Sequence, residues 1–249
     1  SKAVLGISGG VDSALVAALC AKAFGPRNVL GVMLPYRTSN PDSEGHARLL
    51  ASELGIATQK VDISAMADGY LAANKVDERM RRGNVMARCR MIALYDLSVE
   101  FKGLVIGTSN KTEILLGYST QWGDSASAVN PIGDLYKAQI YQLARHVGVP
   151  AQILDKAPSA DLFEGQTDEG ELGFTYADAD RLLFHMVDQR LNEDELVERG
   201  FELAFVRRIA QRIAATQFKR VMPLIAKLSL RTINQDFRPR LIEEDDPVF

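Results

Sequence analysis

The chain has 249 residues, 47% of them hydrophobic and 24% charged, with a net charge of −3 and a pI near 5.7. That length buries one large core, commonly as a single α/β domain, and the acidic balance argues against a protein that wraps nucleic-acid backbone. No apolar run approaches a bilayer span, and two cysteines without CxxC spacing, Cys20 and Cys89, make the reducing cytoplasm the expected compartment.

In chain order, residues 3–7 (AVLGI) read as a buried strand and residues 14–24 as a largely apolar helix stopped by Gly25-Pro26. Between them lies Ser8-Gly9-Gly10-Val11-Asp12-Ser13. A glycine turn from strand to helix aims free N–H groups and a positive dipole end at an anion. Glycines let the backbone approach phosphate oxygens, and the Ser8 and Ser13 hydroxyls add donors. A carboxylate such as Asp12 is repulsive there unless a cation intervenes, and oxygen ligands shared with phosphates are how Mg²⁺ is usually held. The turn therefore reads as a nucleotide-phosphate site with a metal. It is neither a Walker A loop nor G-x-G-x-x-G.

Residues 28–34 read as a second buried strand, 36–42 as a polar loop at its carboxyl end, 43–54 as an amphipathic helix and 57–63 as a third strand. Alternating strands and helices predict a parallel sheet with right-handed crossovers and ligands beyond the strands' carboxyl ends. Residues 64–73 read as helix, 74–83 as a charged connection, and 84–101 as a long helix. Its apolar stripe is Val85, Met86, Cys89, Ile92 and Ala93, bordered by Arg88 and Arg90. On the pattern alone, those arginines are solvated flanks with snorkelling stems.

A fourth strand, 104–108, runs into Ser109-Asn110-Lys111-Thr112-Glu113. Thr108 and Glu113 suit either an ordinary helix start or a hydroxyl and second metal carboxylate facing a nucleotide. Residues 117–133 form a long loop rich in small polar residues, of a length that is usually functional or mobile. Lys137, in the first turn of the helix 136–147, opposes that helix's dipole, which fits an anion contact or simple solvation. The acidic stretch 163–173 reads as a mobile lid or linker. Helices over 176–190, 193–199 and 201–216 cover the core before a basic end at Lys219, Arg220, Arg231, Arg238 and Arg240.

The run SGGVDS resembles the pyrophosphate loop of ATP pyrophosphatases, which cut ATP between its α and β phosphates. Over essentially the whole chain the sequence resembles the NAD synthetases of that superfamily. The resemblance is carried by LGISGGVDS (5–13), GNVMARCRM (83–91), GTSNKTE (107–113), YSTQWGD (118–124), PIGDLYK (131–137), PSADL (158–162) and FKR (218–220). It implies a Rossmann-like parallel sheet flanked by helices, in one domain spanning 1–249. It also implies ATP-dependent amidation of deamido-NAD by ammonia through an adenylate, releasing AMP and pyrophosphate.

By the family pattern Asp12 and Glu113 hold Mg²⁺, while Ser8, Gly9, Gly10, Asp12, Ser13, Thr108, Lys137 and Ser159 contact ATP. Arg88, Asp124 and Lys219 face deamido-NAD, and Asp12 and Lys137 carry the catalysis. A homodimer is implied, with neither nucleic acid nor membrane as partner, and a glutaminase on a separate or longer chain remains open as ammonia source. The sequence departs from some relatives at Met33, Gln121, Ala128 and Phe218. The alternatives are another ATP pyrophosphatase, GMP synthetase-like or tRNA-modifying, and a nucleotide-binding module without turnover.

Overall fold

Short strands spread through the chain's first half build the sheet. A computed structural model describes residues 1–156, 167–228, 230 and 232. In chain order it has β1 (Ala3–Gly6), α1 (Val11–Phe24), β2 (Val29–Met33), α2 (Pro41–Leu54), β3 (Ala57–Lys60), α3 (Ser64–Ala73), α4 (Arg79–Phe101) and β4 (Leu104–Val105). There follow α5 (Lys111–Leu116), α6 (Lys137–Val147), α7 (Ala151–Leu154), α8 (Asp168–Leu172), α9 (Tyr176–Leu183), α10 (Glu193–Glu198) and α11 (Leu203–Ala215).

The strands form a parallel sheet in the order β3-β2-β1-β4, with Ala3 opposite Val29 on one side and Leu104 on the other. Alternation along β1 divides the core. Ala3 and Leu5 pack with Leu15 of α1, Leu50 of α2 and Ile140 of α6. Val4 faces the other way and packs with Val32 and Leu97 of α4. Helices therefore cover both faces, as a buried parallel sheet requires. A second apolar cluster joins Leu116 of α5 to Leu172, Leu182, Leu196 and Ile209. It fixes the C-terminal helices against the carboxyl edge of the sheet.

The α/β parallel-sheet expectation is met, with local corrections. The expected connection 74–83 contains the first turns of α4, because Glu78 accepts from Met80 N (2.9 Å) and Arg81 N (3.1 Å) and so caps a helix start at Arg79. Ile92, expected on the buried stripe, is 53% exposed, whereas Met86, Cys89 and Ala93 are buried. The fourth strand ends at Val105, because its continuation changes partner: Gly107 N donates to Val129 O (2.8 Å) beside an Ile106–Val129 bridge. The helix expected over 176–190 ends as α9 and passes into a π-helical turn, Phe184–Asp188. The described end of the segment 163–173 forms α8, with Asp168 and Leu172 buried. The rest of that segment, Ser159, and the arginines 231, 238 and 240 lie outside the described residues.

Candidate active site

The turn after β1 is held by its own side chains. Ser13 Oγ donates to Gly10 O (3.0 Å) and accepts from Ser8 N (3.1 Å), while Gly10 N donates to Ser8 Oγ (3.3 Å). Gly9 has φ +74°, and a Cβ there would lie 2.4 Å from the Ser43 carbonyl oxygen. Both the left-handed backbone and the close approach require glycine. Gly10 is the N-cap of α1 and supplies no side-chain cap, so the helix presents uncapped N–H groups beside this turn.

In the first turn of α1, Asp12 meets groups remote in sequence. Lys137 Nζ donates to Asp12 Oδ2 (2.6 Å) and lies 3.3 Å from Glu113 Oε1, while Asn110 Nδ2 donates to Asp12 Oδ1 (2.9 Å). Asn110 and Glu113 also form a capping box that starts α5. Burial, and after it the Asp12 charge, pushes the Glu113 carboxyl up to about 8. Burial works against the Lys137 charge, but Asp12 and Glu113 outweigh it and hold the ammonium protonated above the usual lysine range. The expected metal pair and the expected catalytic lysine thus form one cluster.

A buried clamp sets where Lys137 stands. Asp180 of α9 accepts from Thr112 Oγ1 (2.5 Å) and from Ala138 N (2.8 Å), and Thr112 Oγ1 accepts from Lys137 N (3.0 Å). The starts of α5 and α6 are tied together in this way, fixing Glu113 and Lys137 relative to each other. The ammonium also lies 5.0 Å from the centre of the Tyr176 ring, whose hydroxyl donates to Asp168 (3.0 Å). Nothing in the spacing of Thr112, Asp168 and Asp180 marked them in advance. The Asn110-x-x-Glu113 capping pattern was the one legible signal here.

A cavity of about 1080 Å³ opens beside the turn, beyond the carboxyl ends of β1 and β2. Of the residues singled out in sequence, Ser8, Ser13, Thr108, Asp124 and Lys219 line it; Gly9, Gly10, Asp12, Arg88, Glu113 and Lys137 do not. The loop 117–125 forms its far wall. Lys219 Nζ donates to Gly117 O (2.8 Å) and Ser119 O (2.6 Å), Asp124 Oδ1 accepts from Thr120 N (2.7 Å), and Arg88 Nη2 donates to Gln121 O (3.1 Å). Burial raises the Asp124 carboxyl above its usual range and lowers the Lys219 ammonium below its own. Arg90, read as a solvated flank, instead lines the cavity and donates to Leu34 O (3.0 Å).

Among the described residues no group of three or more His, Cys, Asp or Glu side chains is arranged to hold a metal ion. Asp12 and Glu113 nevertheless direct two carboxylate oxygens at one ammonium. Such a donor set fits a hard divalent cation that takes its remaining oxygens from phosphate and water.

A family profile described as NAD synthase matches residues 1–223. The chain is 57% identical over 237 residues to the NH(3)-dependent NAD(+) synthetase of Trichlorobacter lovleyi, covering 95% of this chain and 87% of that one. It is 52% identical over 235 residues to the protein of the same name from Chlorobaculum tepidum, covering 94% and 85%. Among solved structures, the NH3-dependent NAD synthetase of Campylobacter jejuni matches with TM-score 0.77 and 34% identity, covering 91% of this chain and 90% of that one. The NMN synthetase of Francisella tularensis matches with TM-score 0.79 and 33% identity, covering 90% and 89%.

Proposed function

The chain belongs to the NAD synthase family, and from that premise we propose that it makes NAD from deamido-NAD, ATP and ammonia through an adenylated carboxylate. The observation that carries this reading is that one glycine turn both opens on the large cavity through Ser8 and Ser13 and brings Asp12 to Lys137, which also meets Glu113.

A carboxylate is a poor acyl donor because oxide would have to leave. In the first step a nicotinate oxygen attacks the α-phosphorus, and the bond to the bridging oxygen breaks with its electron pair going to pyrophosphate. In the second, ammonia adds to the acyl carbon, AMP leaves and one proton is released. Little covalent chemistry falls to the protein, which positions the reactants and stabilises charge on phosphate oxygens.

The Ser8–Ser13 turn and the start of α1 receive the phosphates, with Thr108 on the same wall. Lys137, kept protonated, offers its ammonium to an α-phosphate oxygen. Asp12 and Glu113 would hold Mg²⁺, which would supply neutralisation of the triphosphate charge when bound. By the family pattern Arg88, Asp124 and Lys219 belong to the deamido-NAD side, and all three are anchored to the loop 117–125. Ser159 keeps its family-implied role as an ATP contact. A lid over 163–173 and a cytoplasmic location belong to the same reading.

We assign a second copy of the chain to the exposed apolar residues of α4, Met80, Ile92, Tyr95 and Val99, 39–78% exposed. Sedimentation velocity is expected to show a dimer at assay concentrations; a monomer there overturns the assignment.

The reaction is tested by incubating the chain with Mg²⁺-ATP, deamido-NAD and ammonium and identifying products. NAD, AMP and pyrophosphate in equal amounts are expected, and ADP with phosphate would refute the reading. Nicotinate mononucleotide replaces deamido-NAD in a parallel reaction, and preferred turnover of it would move the substrate to the mononucleotide. With glutamine as sole nitrogen donor no NAD is expected from this chain. Glutamine hydrolysis needs an accessible thiolate, whereas Cys20 and Cys89 are both buried and burial pushes the Cys20 thiol up to about 11. Glutamine turnover matching that with ammonium would reveal a nucleophile elsewhere.

A further inference from the structure

The cations around the phosphate turn are mostly committed. Lys137 is held by Asp12 (2.6 Å) and Glu113 (3.3 Å). Lys60, on the cavity wall, is held by Glu44 (2.7 Å), and Arg90 by the Leu34 carbonyl (3.0 Å). ATP brings about four negative charges to this turn, and charge-assisted contacts to its phosphates are about twice as strong as neutral ones. Among the described residues, a cation held only by a side-chain hydroxyl is therefore the notable one.

Lys156 is such a cation. It follows α7, which Ile153 anchors in the main core, and its Nζ donates to Ser43 Oγ (2.9 Å), 113 residues away in sequence. That partner is neutral, and among the described residues Lys156 forms no ion pair. Ser43 in turn adjoins the phosphate turn. It is buried, lines the cavity and presents the carbonyl oxygen that would lie 2.4 Å from a Cβ on Gly9. The neighbouring carboxylate, Glu44, is already bound by Arg48 and Lys60 (2.7 Å each) and makes no claim on Lys156. One hydroxyl thus separates an unpaired ammonium from the backbone that cradles phosphate.

We propose that Lys156 is a further substrate-binding residue: its ammonium turns from Ser43 to the β- and γ-phosphates of ATP and holds pyrophosphate as it leaves. This rests on the functional reading above and adds a residue to it. Lys137 and the two carboxylates then serve the α-phosphorus, where the new bond forms. Lys156 serves the opposite end, where the electron pair of the broken bond arrives. It neither gives nor takes a proton; its part is to stabilise charge developing on the leaving group.

The test uses Lys156→Gln, which keeps a hydrogen-bond donor for Ser43 but removes the charge, and Lys156→Arg, which restores it. Inorganic pyrophosphate and, separately, AMP are titrated calorimetrically into each protein with Mg²⁺ present, after circular dichroism shows matching melts. Lys156→Gln is expected to weaken pyrophosphate binding about tenfold and to raise the KM for ATP similarly. The affinity for AMP and the KM for deamido-NAD should stay within twofold, and Lys156→Arg should recover most of the loss. Undiminished pyrophosphate binding in Lys156→Gln overturns the proposal, as does an equal loss for AMP, or a wild-type chain that binds no pyrophosphate. A wild-type chain that binds pyrophosphate with this charge dependence yet forms no NAD would refute the functional reading and leave the Lys156 subsite standing.

Discussion

Asp12→Asn is expected to leave a folded protein whose turnover is about 10²–10³-fold lower, the usual cost of losing one charge-stabilising contact at developing charge. The fold should survive because the amide retains an oxygen for Asn110 Nδ2, which now donates to Asp12 Oδ1 at 2.9 Å. Lys137 also keeps the Glu113 carboxyl as a partner at 3.3 Å. What disappears is the negative charge beside a phosphate-binding turn. A carboxylate is unfavourable against phosphate unless a cation lies between, so its presence there is explained by metal binding. The check is steady-state turnover across a Mg²⁺ series, with circular dichroism as the control for folding. If the metal role is right, extra Mg²⁺ recovers little; turnover within a few-fold of wild type at saturating Mg²⁺ would remove it.

The part of the site that was legible in sequence is the part made by local chemistry. A glycine turn between a strand and a helix is readable within six residues, and at Gly9, with its φ of +74° and the Ser43 carbonyl beside it, the structure requires glycine. Arg88 and Arg90 were correctly placed on opposite borders of one helix face by the 3.6-residue period. What each meets was not readable, because Gln121 and Leu34 lie 33 and 56 residues away. The Thr112–Asp180 clamp spans 68 residues and the Lys156–Ser43 contact 113; no periodicity reports such a pairing.

Two errors have a common physical cause. Composition made 74–83 read as a charged connection, yet Glu78 uses its charge to cap α4. The apolar stripe read along 84–101 made Ile92 a core residue, yet at 53% exposed it belongs to the exposed apolar face of α4. Residue type sets what a side chain can do, and the long-range packing decides which of those uses is realised.

Lys137→Met should be the most damaging single change, because it strips stability and chemistry together. The lysine side chain is 4% exposed and stands between carboxylates that are 18% and 15% exposed. Removing one partner of a buried ion pair typically costs about 3–5 kcal/mol, and the methionine stem recovers only packing against the Tyr176 ring. The loss is expected to depend on pH. Glu113 titrates at about 8 in the folded protein against an ordinary 4.5, so the folded state holds a proton that the unfolded state has released. Stability from that group is therefore present at low pH and falls as pH rises from about 4.5 through 8. Without Lys137 the two carboxyls repel each other more strongly, and protonation is the remaining way to relieve them. The deficit relative to wild type should accordingly be smallest near pH 5 and largest near pH 9. The stabilisation from Lys137 itself is lost only above the ordinary lysine value of 10.5 and does not disturb that window. Turnover should fall by about 10²–10³-fold at any pH where the variant is folded, since the α-phosphate loses its ammonium. Thermal melts at pH 5, 7 and 9, with turnover measured at each, make the check. A deficit that does not change with pH would mean that Asp12 and Glu113 do not share their charge through Lys137. Unaltered turnover in the folded variant would take the lysine out of the reaction.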